Sequence, residues 1–217
     1  MTPAAHGTRH PFFARLYAWV SPIAERSGTA EHRERLLAGL SGRVIEIGCG
    51  NGLNFAHYPP SVTEIVALEP EPFLRKEAEV AARASAIPIH VIAGHAESLP
   101  EPDSTFDAAV ISLVLCSVSD PSIALAEIHR VLRPGGELRF YEHVAAADSD
   151  PLQRYQRLAS PLWQLVGGGC HPDRDSARLI ESARFTISEI DHFDFQPGPA
   201  FPIALVRPHI IGIARSR

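Results

Sequence analysis

The most constraining feature of the chain is an alternating glycine loop that directly follows a short apolar run. Residues 44–47 read VIEI, which is typical of a buried strand, and Gly48, Gly50 and Gly52 follow. Gly48 lets the chain turn sharply, and the other two glycines remove side chains where a ligand must lie against backbone. About 20 residues later Glu69 ends a second β-branched run, where an acid can accept both ribose hydroxyls of a nucleoside. The pattern predicts a nucleoside-binding unit.

Strand-like and helix-like segments alternate through the middle of the chain. Predicted strands after the first occupy residues 64–68, 87–93, 106–113 and 137–144, and predicted helices occupy residues 71–85 and 120–132. Strands that alternate with helices of this length indicate a parallel sheet that is covered on both faces.

The front of the chain predicts a small helical cap. Apolar residues recur at helical spacing over residues 12–23, with a break expected at Pro22, and a second helix is predicted over residues 30–40. Residues 1–9 show no pattern. We therefore expect residues 1–42 to form an N-terminal lid or cap on a main domain of residues 43–217, within a single globular unit.

The last third of the chain predicts two helices and then two strands. The helices cover residues 150–166 and 173–184, and the strands cover 185–195 and 202–214, with a turn at residues 197–199. Consecutive strands joined in this way form an antiparallel pair. The predicted fold class is therefore α/β, a Rossmann-like seven-stranded, mostly parallel sheet with helices on both faces and an antiparallel C-terminal edge pair.

Composition excludes several other kinds of protein. With 217 residues, 45% of them hydrophobic, the chain is long and apolar enough for a sizeable core. A net charge of −5 disfavours a nucleic-acid binder, which needs a basic face. Three cysteines far apart in sequence indicate a reduced, cytoplasmic protein rather than a disulfide framework. No apolar run approaches 18 residues, so we expect neither a signal peptide nor a transmembrane anchor.

Four segments in order resemble the class I methyltransferases that use S-adenosylmethionine (SAM). They are residues 46–52, 68–70, 94–100 and 130–136. The alternating glycines also favour SAM over a dinucleotide, because a dinucleotide site requires glycine where Leu53 stands. The resemblance implies SAM as the cofactor and a methyl acceptor as the second ligand.

The same resemblance assigns residues to the cofactor. It places Glu69 on the ribose, residues 95–97 beside the adenine, and Ser112 and Leu113 beside the methionine part. Family members usually carry aspartate where His95 stands. The complete predicted set is Glu46, Gly48, Gly50, Gly52, Asn54, Glu69, Pro70, His95, Ala96, Glu97, Ser112 and Leu113.

A narrower resemblance covers nearly the whole chain. The sequence is similar to the alkyl thiol S-methyltransferases, small methyltransferase-like enzymes attached to microsomal membranes. The matching residues are 54–55, 58–60, 113–118, 142–144, 163, 169–170, 206–210 and 212. This resemblance implies methylation of the sulfur of a small, apolar thiol. Those relatives carry an apolar membrane anchor at the front. For this chain, shallow contact between the front helix and a membrane is the form of attachment that is still considered.

His143 is the predicted general base. Only a small fraction of an alkyl thiol with a pKa near 8.5 is ionised at pH 7, so a base assists its attack. His143 ends the fifth strand, and ligands of open α/β sheets bind at the carboxyl ends of strands. Glu142 is predicted to orient the imidazole or to bind the substrate. The alternative is that both residues form hydrogen bonds that hold a loop or the C-terminal strands in place.

Four further residues are predicted to line the substrate pocket: Tyr17, Cys116, Trp163 and His209. Each has a structural alternative. Tyr17 lies on a helix that either closes as a lid or only packs on the sheet. Cys116 and Trp163 could be core residues, and His209 could tie the last strand to the sheet. The histidines and cysteines show no metal-ligand spacing, so no metal is predicted.

Other functions stay open at this level. The acceptor could be the oxygen or nitrogen of a small metabolite or of a lipid headgroup, because one scaffold hosts many acceptors. A non-catalytic SAM-binding module and a dinucleotide-dependent oxidoreductase are the alternatives from other classes. The expected partner is a small-molecule acceptor and not a nucleic acid, and the sequence does not indicate an oligomeric state.

Overall fold

The computed structural model describes residues 11–147, 150–196 and 204–217. Its strands are β1 (Gly42–Ile47), β2 (Val62–Leu68), β3 (Ile89–Ile92), β4 (Phe106–Ser112), β5 (Leu132–His143), β6 (Phe185–Asp194) and β7 (Pro208–Ser216). They form one seven-stranded sheet in the order β3-β2-β1-β4-β5-β7-β6. Strands β1 to β5 are parallel, and β7 runs antiparallel to both β5 and β6. The predicted fold class is confirmed, including its antiparallel edge.

The helices are α1 (Pro11–Ala24), α2 (Ala30–Leu37), α3 (Pro72–Arg83), α4 (Pro121–Val131), α5 (Pro151–Val166) and α6 (Ser176–Ser182). Three of them begin with the same local signal, an acid followed by proline. Glu71, Asp120 and Asp150 each accept a hydrogen bond from a backbone N–H of the first turn. The proline that follows needs no partner for a missing N–H at this position. Local sequence therefore fixes where α3, α4 and α5 start.

The front of the chain differs from its prediction. Pro22 lies inside α1 and does not break it. The interruption falls in a π-helical turn (Glu25–Thr29), where Gly28 has a φ of +114°. A proline in the last turn of a helix removes one hydrogen bond, whereas a positive φ ends the helical path, and glycine adopts it readily. Helix α2 stops at Leu37 and not at Leu40.

The back of the chain differs in smaller ways. Strand β5 begins at Leu132, before the predicted Glu137, and its register against β4 shifts there. A short 3₁₀ turn (Ala204–Val206) precedes β7, which begins at Pro208 rather than at residue 202. The predicted turn at residues 197–199 and the pattern-free residues 1–9 lie outside the described residues.

Two apolar clusters cover the two faces of the sheet. Side chains such as Ile45, Ile111 and Phe140 pack against α4 and α6 on one face. Val44, Val110 and Tyr141 face the other side, where α2 and α3 lie. Because successive strand residues point to opposite faces, continuous β-branched runs are needed to fill both clusters. This burial stabilises the sheet, and the loops that follow its parallel strands lie at its carboxyl edge.

None of the helices within the described ranges has both the length and the apolar composition that crossing a membrane requires.

Candidate active site

The glycine loop after β1 is shaped by close contacts with the protein itself. Gly48, Gly50 and Gly52 all have positive φ values, and the Gly48 N–H donates to the Leu68 carbonyl at 2.8 Å. A Cβ on Gly48 would lie 2.7 Å from Val114 Cγ2, and one on Gly52 would lie 2.8 Å from the Phe55 ring. Gly52 therefore makes room for Phe55, and the prediction that it also makes room for a ligand stays a prediction.

Helix α1 covers the same loop. A Cβ on Gly50 would lie 3.3 Å from Cε1 of Tyr17, so this ring sits directly over the loop. The Asn51 side-chain amide donates to the Ser21 hydroxyl at 3.0 Å and ties the loop to α1. The other amide atom, Asn51 Oδ1, is buried and has no hydrogen-bond partner within the described residues. An unpartnered acceptor beside a glycine loop suits a ligand that carries hydroxyl or ammonium donors.

Glu69 lies at the end of β2, against the glycine loop. Its Oε2 accepts from the Gly50 N–H at 2.8 Å, and its Oε1 accepts from the Glu71 N–H at 2.9 Å. Burial raises the pKa of this carboxyl, and the two backbone N–H groups oppose that rise. A carboxylate has about four acceptor positions, so two remain for further donors. The geometry is compatible with the predicted bidentate contact with ribose.

Glu46 and Asn54 form a polar network beneath the loop. Glu46 accepts from Asn54 Nδ2 and from the Tyr58 hydroxyl, both at 2.8 Å. Asn54 Oδ1 in turn accepts from Arg33 of α2 at 2.6 Å. Burial raises the pKa of Glu46 to about 7. The predicted contact of these two residues with the cofactor is not supported by these bonds, because both side chains are buried and their hydrogen bonds connect the loop to α2.

The remaining predicted cofactor residues lie side by side at the carboxyl edge, because β3, β2, β1 and β4 are neighbours. His95 is half-buried, Ala96 is buried, and Glu97 accepts from the Ser119 N–H at 3.0 Å, which anchors the loop before α4. Pro70 is exposed and follows Glu69 directly. The edge therefore brings the end of β2 and residues 95–97 to the same side of the glycine loop.

Leu113 has an unusual backbone conformation at the end of β4, directly after the predicted site residue Ser112. Its φ is +61°, a region that non-glycine residues rarely occupy, and its N–H donates to the Tyr141 carbonyl at 2.7 Å. Such residues persist only where the surrounding structure holds them, and they cluster at functional sites. No pattern in the sequence signals this conformation.

A cavity of about 150 Å³ lies between α1 and the ends of β4, β5 and β7. Most of its lining is apolar, and Tyr17, Leu113, Tyr141, His143 and His209 contribute to it. Tyr17 and His209 thus line a pocket as predicted, although what enters it stays a prediction. A larger open depression of about 360 Å³ lies between α3 and β3, and it contains none of the predicted site residues.

His209 is held neutral within an aromatic cluster. It pairs with His143 across β5 and β7, and the two ring centroids lie 4.6 Å apart. Its ring stacks on Tyr141 at 5.2 Å. Burial lowers the pKa of His209 to about 3, and the neighbouring His143 contributes further. The Nδ1–H of His209 donates to the Arg207 carbonyl at 2.9 Å, which ties down the last strand and leaves Nε2 as an acceptor.

Two cysteines lie on one ring nitrogen of His143. Its Nδ1 is 3.9 Å from Cys116 Sγ and 3.7 Å from Cys170 Sγ, and all three atoms lie within 4.8 Å of one another. Both thiols are free and buried. Neither Cys116 nor Trp163 lines the cavity, so the prediction that they form the pocket is not supported. The sequence prediction also missed this cluster, whose one signal is that cysteines follow both the fourth strand and the glycine run 167–169.

Glu142 supports the loop that carries Cys116. It is fully buried, and it accepts the backbone N–H groups of Val114, Leu115 and Cys116 at 2.9, 2.9 and 3.2 Å. Burial raises the pKa of Glu142 to about 7, against the effect of these three bonds. Adjacent strand residues point to opposite faces, so Glu142 faces away from the cavity that His143 lines. The prediction that it orients His143 or binds a substrate is not supported, and the alternative of satisfying a loop matches its contacts.

Comparisons with known proteins agree with this arrangement. Residues 45–140 match the family model described as a methyltransferase domain. Thiol S-methyltransferase TMT1B of Rattus norvegicus is 38% identical over 216 residues, which cover 94% of this chain and 85% of the relative.

Two solved structures share the fold. The [4+2]-cyclase SpnF has a TM-score of 0.71 and 20% identity, with 94% of each chain covered. A SAM-dependent methyltransferase of Thermotoga maritima, described as a possible histamine N-methyltransferase, has a TM-score of 0.67 and 21% identity, with 94% of this chain and 95% of that chain covered.

Proposed function

Because this chain belongs to the thiol S-methyltransferase family, we propose that it transfers the methyl group of SAM to the sulfur of a small, apolar thiol. The enzyme class and the cofactor follow from the family: the chain is a SAM-dependent methyltransferase. One observation supports the acceptor, the mostly apolar cavity at the carboxyl edge that holds His143. An apolar lining with few polar groups is typical of a small-molecule site.

The part of the site that would hold the cofactor presents hydrogen-bond acceptors. When bound, SAM supplies a methyl group that is carried on a positively charged sulfur. Glu69 offers two free acceptor positions for the ribose hydroxyls, and Asn51 Oδ1 offers an unpartnered acceptor, within the described residues, for an ammonium or hydroxyl. Residues 95–97 would border the adenine, while Ser112 and Leu113 would border the methionine part. The residues present therefore fit the cofactor.

The acceptor side combines an apolar wall with a proton acceptor. Tyr141 and Phe195 would pack against the alkyl part of the thiol, and burial of that part favours binding. His143 would take the thiol proton through the ring nitrogen that does not face the cysteines. Holding the sulfur in line with the methyl group is worth roughly 7–11 kcal/mol of the barrier. His143 therefore acts as general base in this proposal.

Helices α1 and α2, which are the described part of the predicted cap of residues 1–42, act as a lid in the same proposal. Tyr17 lies over Gly50, and Ser21 contacts Asn51, so α1 covers the loop that would hold SAM. In this proposal Tyr17 moves aside to admit the cofactor to the loop. Closure of α1 over both ligands would exclude water from the thiolate.

Methyl transfer from isotope-labelled SAM to a panel of alkyl thiols, phenols and amines tests the acceptor. We expect labelled product from the thiols alone. Transfer to phenols or amines alone would contradict the thiol assignment and leave O- or N-methylation. Binding of SAM without transfer to any acceptor would favour a non-catalytic SAM-binding module. Glu69→Ala is the control, since it should reduce transfer to every acceptor equally.

We also propose a cytoplasmic protein that touches an anionic membrane surface. Free, buried cysteines suit a reducing compartment. Helix α1 exposes Phe12 and Trp19 by 91% and 70%, and α5 exposes Leu158 and Leu165 by 83% and 74%. Both helices contain arginine and no acidic residue. Apolar side chains flanked by cations favour shallow insertion between anionic lipids.

Flotation with vesicles of phosphatidylcholine, with and without phosphatidylserine, tests this surface. We expect binding that increases with phosphatidylserine, decreases with salt and is lost in a Leu158→Ser, Leu165→Ser double variant. Ile123→Ser is the matched control, because Ile123 is an exposed apolar residue on α4. Equal flotation of both variants would contradict the proposal.

A further inference from the structure

His143 has a buried cysteine pair on the side of its ring that faces away from the cavity. Its Nδ1 lies 3.7 Å from Cys170 Sγ and 3.9 Å from Cys116 Sγ. A histidine that acts as a base through one ring nitrogen needs a partner on the other, because that partner fixes the tautomer. Carboxylates usually do this, but Glu142 is bound to three backbone N–H groups.

We propose that Cys170, as a thiolate, is the positioning residue for His143 and holds the proton of Nδ1, so that Nε2 stays free to take the proton of the acceptor thiol. The inference rests on the proposed function and deepens it. The acceptor S–H bond breaks, its proton moves to Nε2, and its electron pair stays on the acceptor sulfur for attack on the methyl group. The resulting imidazolium is paired with the Cys170 thiolate and returns its proton to water after product release.

Three groups converge on Cys170 to stabilise a negative sulfur. The hydrogen bond from Cys116 is the main cause that lowers the pKa of Cys170, and His143 adds to it. The same interaction, together with burial, raises the pKa of Cys116. Trp163 also contributes to the lowered pKa of Cys170, and its indole N–H is buried with no hydrogen-bond partner in the described ranges. A buried N–H donor without a partner beside Cys170 favours a thiolate over a thiol at that position.

Other titratable and charged groups also face His143, and none of them replaces Cys170. They are His209 on β7, Tyr141 and Glu142 on β5, Cys116 after β4, Tyr17 on α1 and Arg33 on α2. His209 stays neutral, and Glu142 is fully engaged by backbone. Arg33 is bound to Glu25 and Asn54. Among the described residues, the cysteine pair is therefore the acceptor within reach of Nδ1.

Two acceptors and three variants test the proposal. The acceptors are an alkyl thiol, which arrives protonated, and an aromatic thiol that is already ionised at the assay pH and needs no base. The variants are Cys170→Ala, Cys170→Ser and Cys170→Asp, the last of which restores an anion. We expect Ala and Ser to lower kcat for the alkyl thiol by about 10- to 100-fold, less than the roughly 10⁴-fold loss on disabling the aspartate of a Ser-His-Asp triad.

The pattern across acceptors separates positioning from folding. We expect the aromatic thiol to be methylated at near wild-type rates by all three variants, and Cys170→Asp to regain much of the alkyl thiol activity. Equal losses on both acceptors, with no recovery of alkyl thiol activity in Cys170→Asp, would overturn the inference.

A zinc ion bound by the same three side chains is the competing state of this cluster. A stoichiometric zinc ion in the purified protein that Cys170→Ala removes would overturn the inference, because Nδ1 would then be a ligand and not a donor. If the wild-type protein methylates no thiol at all, the proposed function itself fails. If it methylates alkyl thiols and Cys170→Ala does so equally well, only the inference fails.

Discussion

The two sides of the carboxyl edge differ in the kind of polar group that they leave available. The cofactor side consists of the glycine loop and the end of β2, and it presents hydrogen-bond acceptors. Glu69 is held by two backbone N–H groups, and Asn51 Oδ1 is unpartnered among the described residues. The acceptor side, which would hold the methyl acceptor, consists of the ends of β4, β5 and β7 and the loop after α5, and it presents groups that move protons, namely His143 and two thiols. Fixed acceptors suit recognition of a cofactor, and groups that exchange a proton suit activation of a thiol.

The largest expected effect is on the acceptor side. His143→Ala should lower kcat for an alkyl thiol at pH 7 by about 10²- to 10⁴-fold, the usual contribution of a general base. The loss should shrink as the pH passes the pKa of the thiol, because the acceptor then ionises without help. Steady-state rates between pH 6 and 10 measure this. A constant loss across that range would make His143 a structural residue.

A substitution of Glu142 tests whether this buried carboxylate stabilises the loop after β4. Glu142→Ala leaves three backbone N–H groups without an acceptor, and we expect it to lower the free energy of unfolding by roughly 3 kcal/mol. Urea denaturation measures the change. Glu181→Ala, an exposed glutamate on α6, is the control and should change stability by less than about 0.5 kcal/mol. Similar values for both variants would refute this stabilising role.

Glu69 tests the cofactor side in isolation. Glu69→Ala should weaken SAM binding by roughly 1–3 kcal/mol, the cost of losing hydrogen bonds to a charged group. Titration calorimetry with SAM gives the dissociation constant. Glu77→Ala removes the same charge from an exposed position on α3 and should leave affinity unchanged. Unchanged affinity in the Glu69 variant would remove this carboxylate from the ribose.

Near neutral pH the smallest expected effect concerns the free energy of unfolding on the acceptor side, and this effect grows toward acid pH. The pKa of His209 is lowered to about 3 in the folded chain, so only the unfolded chain gains a proton on this residue between pH 6.5 and 3. Stability is therefore lost as the pH falls through that window, by at most roughly 1.4 kcal/mol per pH unit.

A His209→Gln variant isolates this contribution from other groups. Glu46 and Glu142 have raised pKa values, so they favour folding toward acid pH between about 4.5 and 7 and act in the opposite sense. The difference in unfolding free energy between wild type and His209→Gln should therefore shrink as the pH falls below 6.5. A difference that does not vary with pH would contradict the buried, neutral state of His209.

The cofactor side was largely predictable from sequence. The glycine spacing, the strand before it and Glu69 at the next strand end are local or follow from a parallel sheet, whose carboxyl ends meet at one edge. The sequence did not indicate the partners of the polar residues under the loop. Glu46 and Asn54 bind each other and Arg33, and no local pattern says which of two buried partners a carboxylate will find.

The acceptor side was less predictable. His143 was placed at a strand end correctly, but its neighbours Cys116 and Cys170 come from positions 27 residues away on either side. Glu142 looked like its partner because it is adjacent in sequence, whereas alternation along β5 turns it to the other face. The positive φ of Leu113 is imposed by its contact with β5, so it has no signature of its own.

The sequence by itself determined the mostly parallel sheet, the antiparallel edge and the glycine loop of this protein. Apolar periodicity and helix caps act locally, and strands that alternate with helices along the chain favour a parallel sheet over other arrangements. Only the tertiary structure decided which groups face His143, that Glu142 serves the backbone, and that α1 lies over Gly50. Those contacts join residues that are far apart in sequence, and their partners are selected by burial, because a buried polar group must find whichever donor or acceptor the packed chain brings to it.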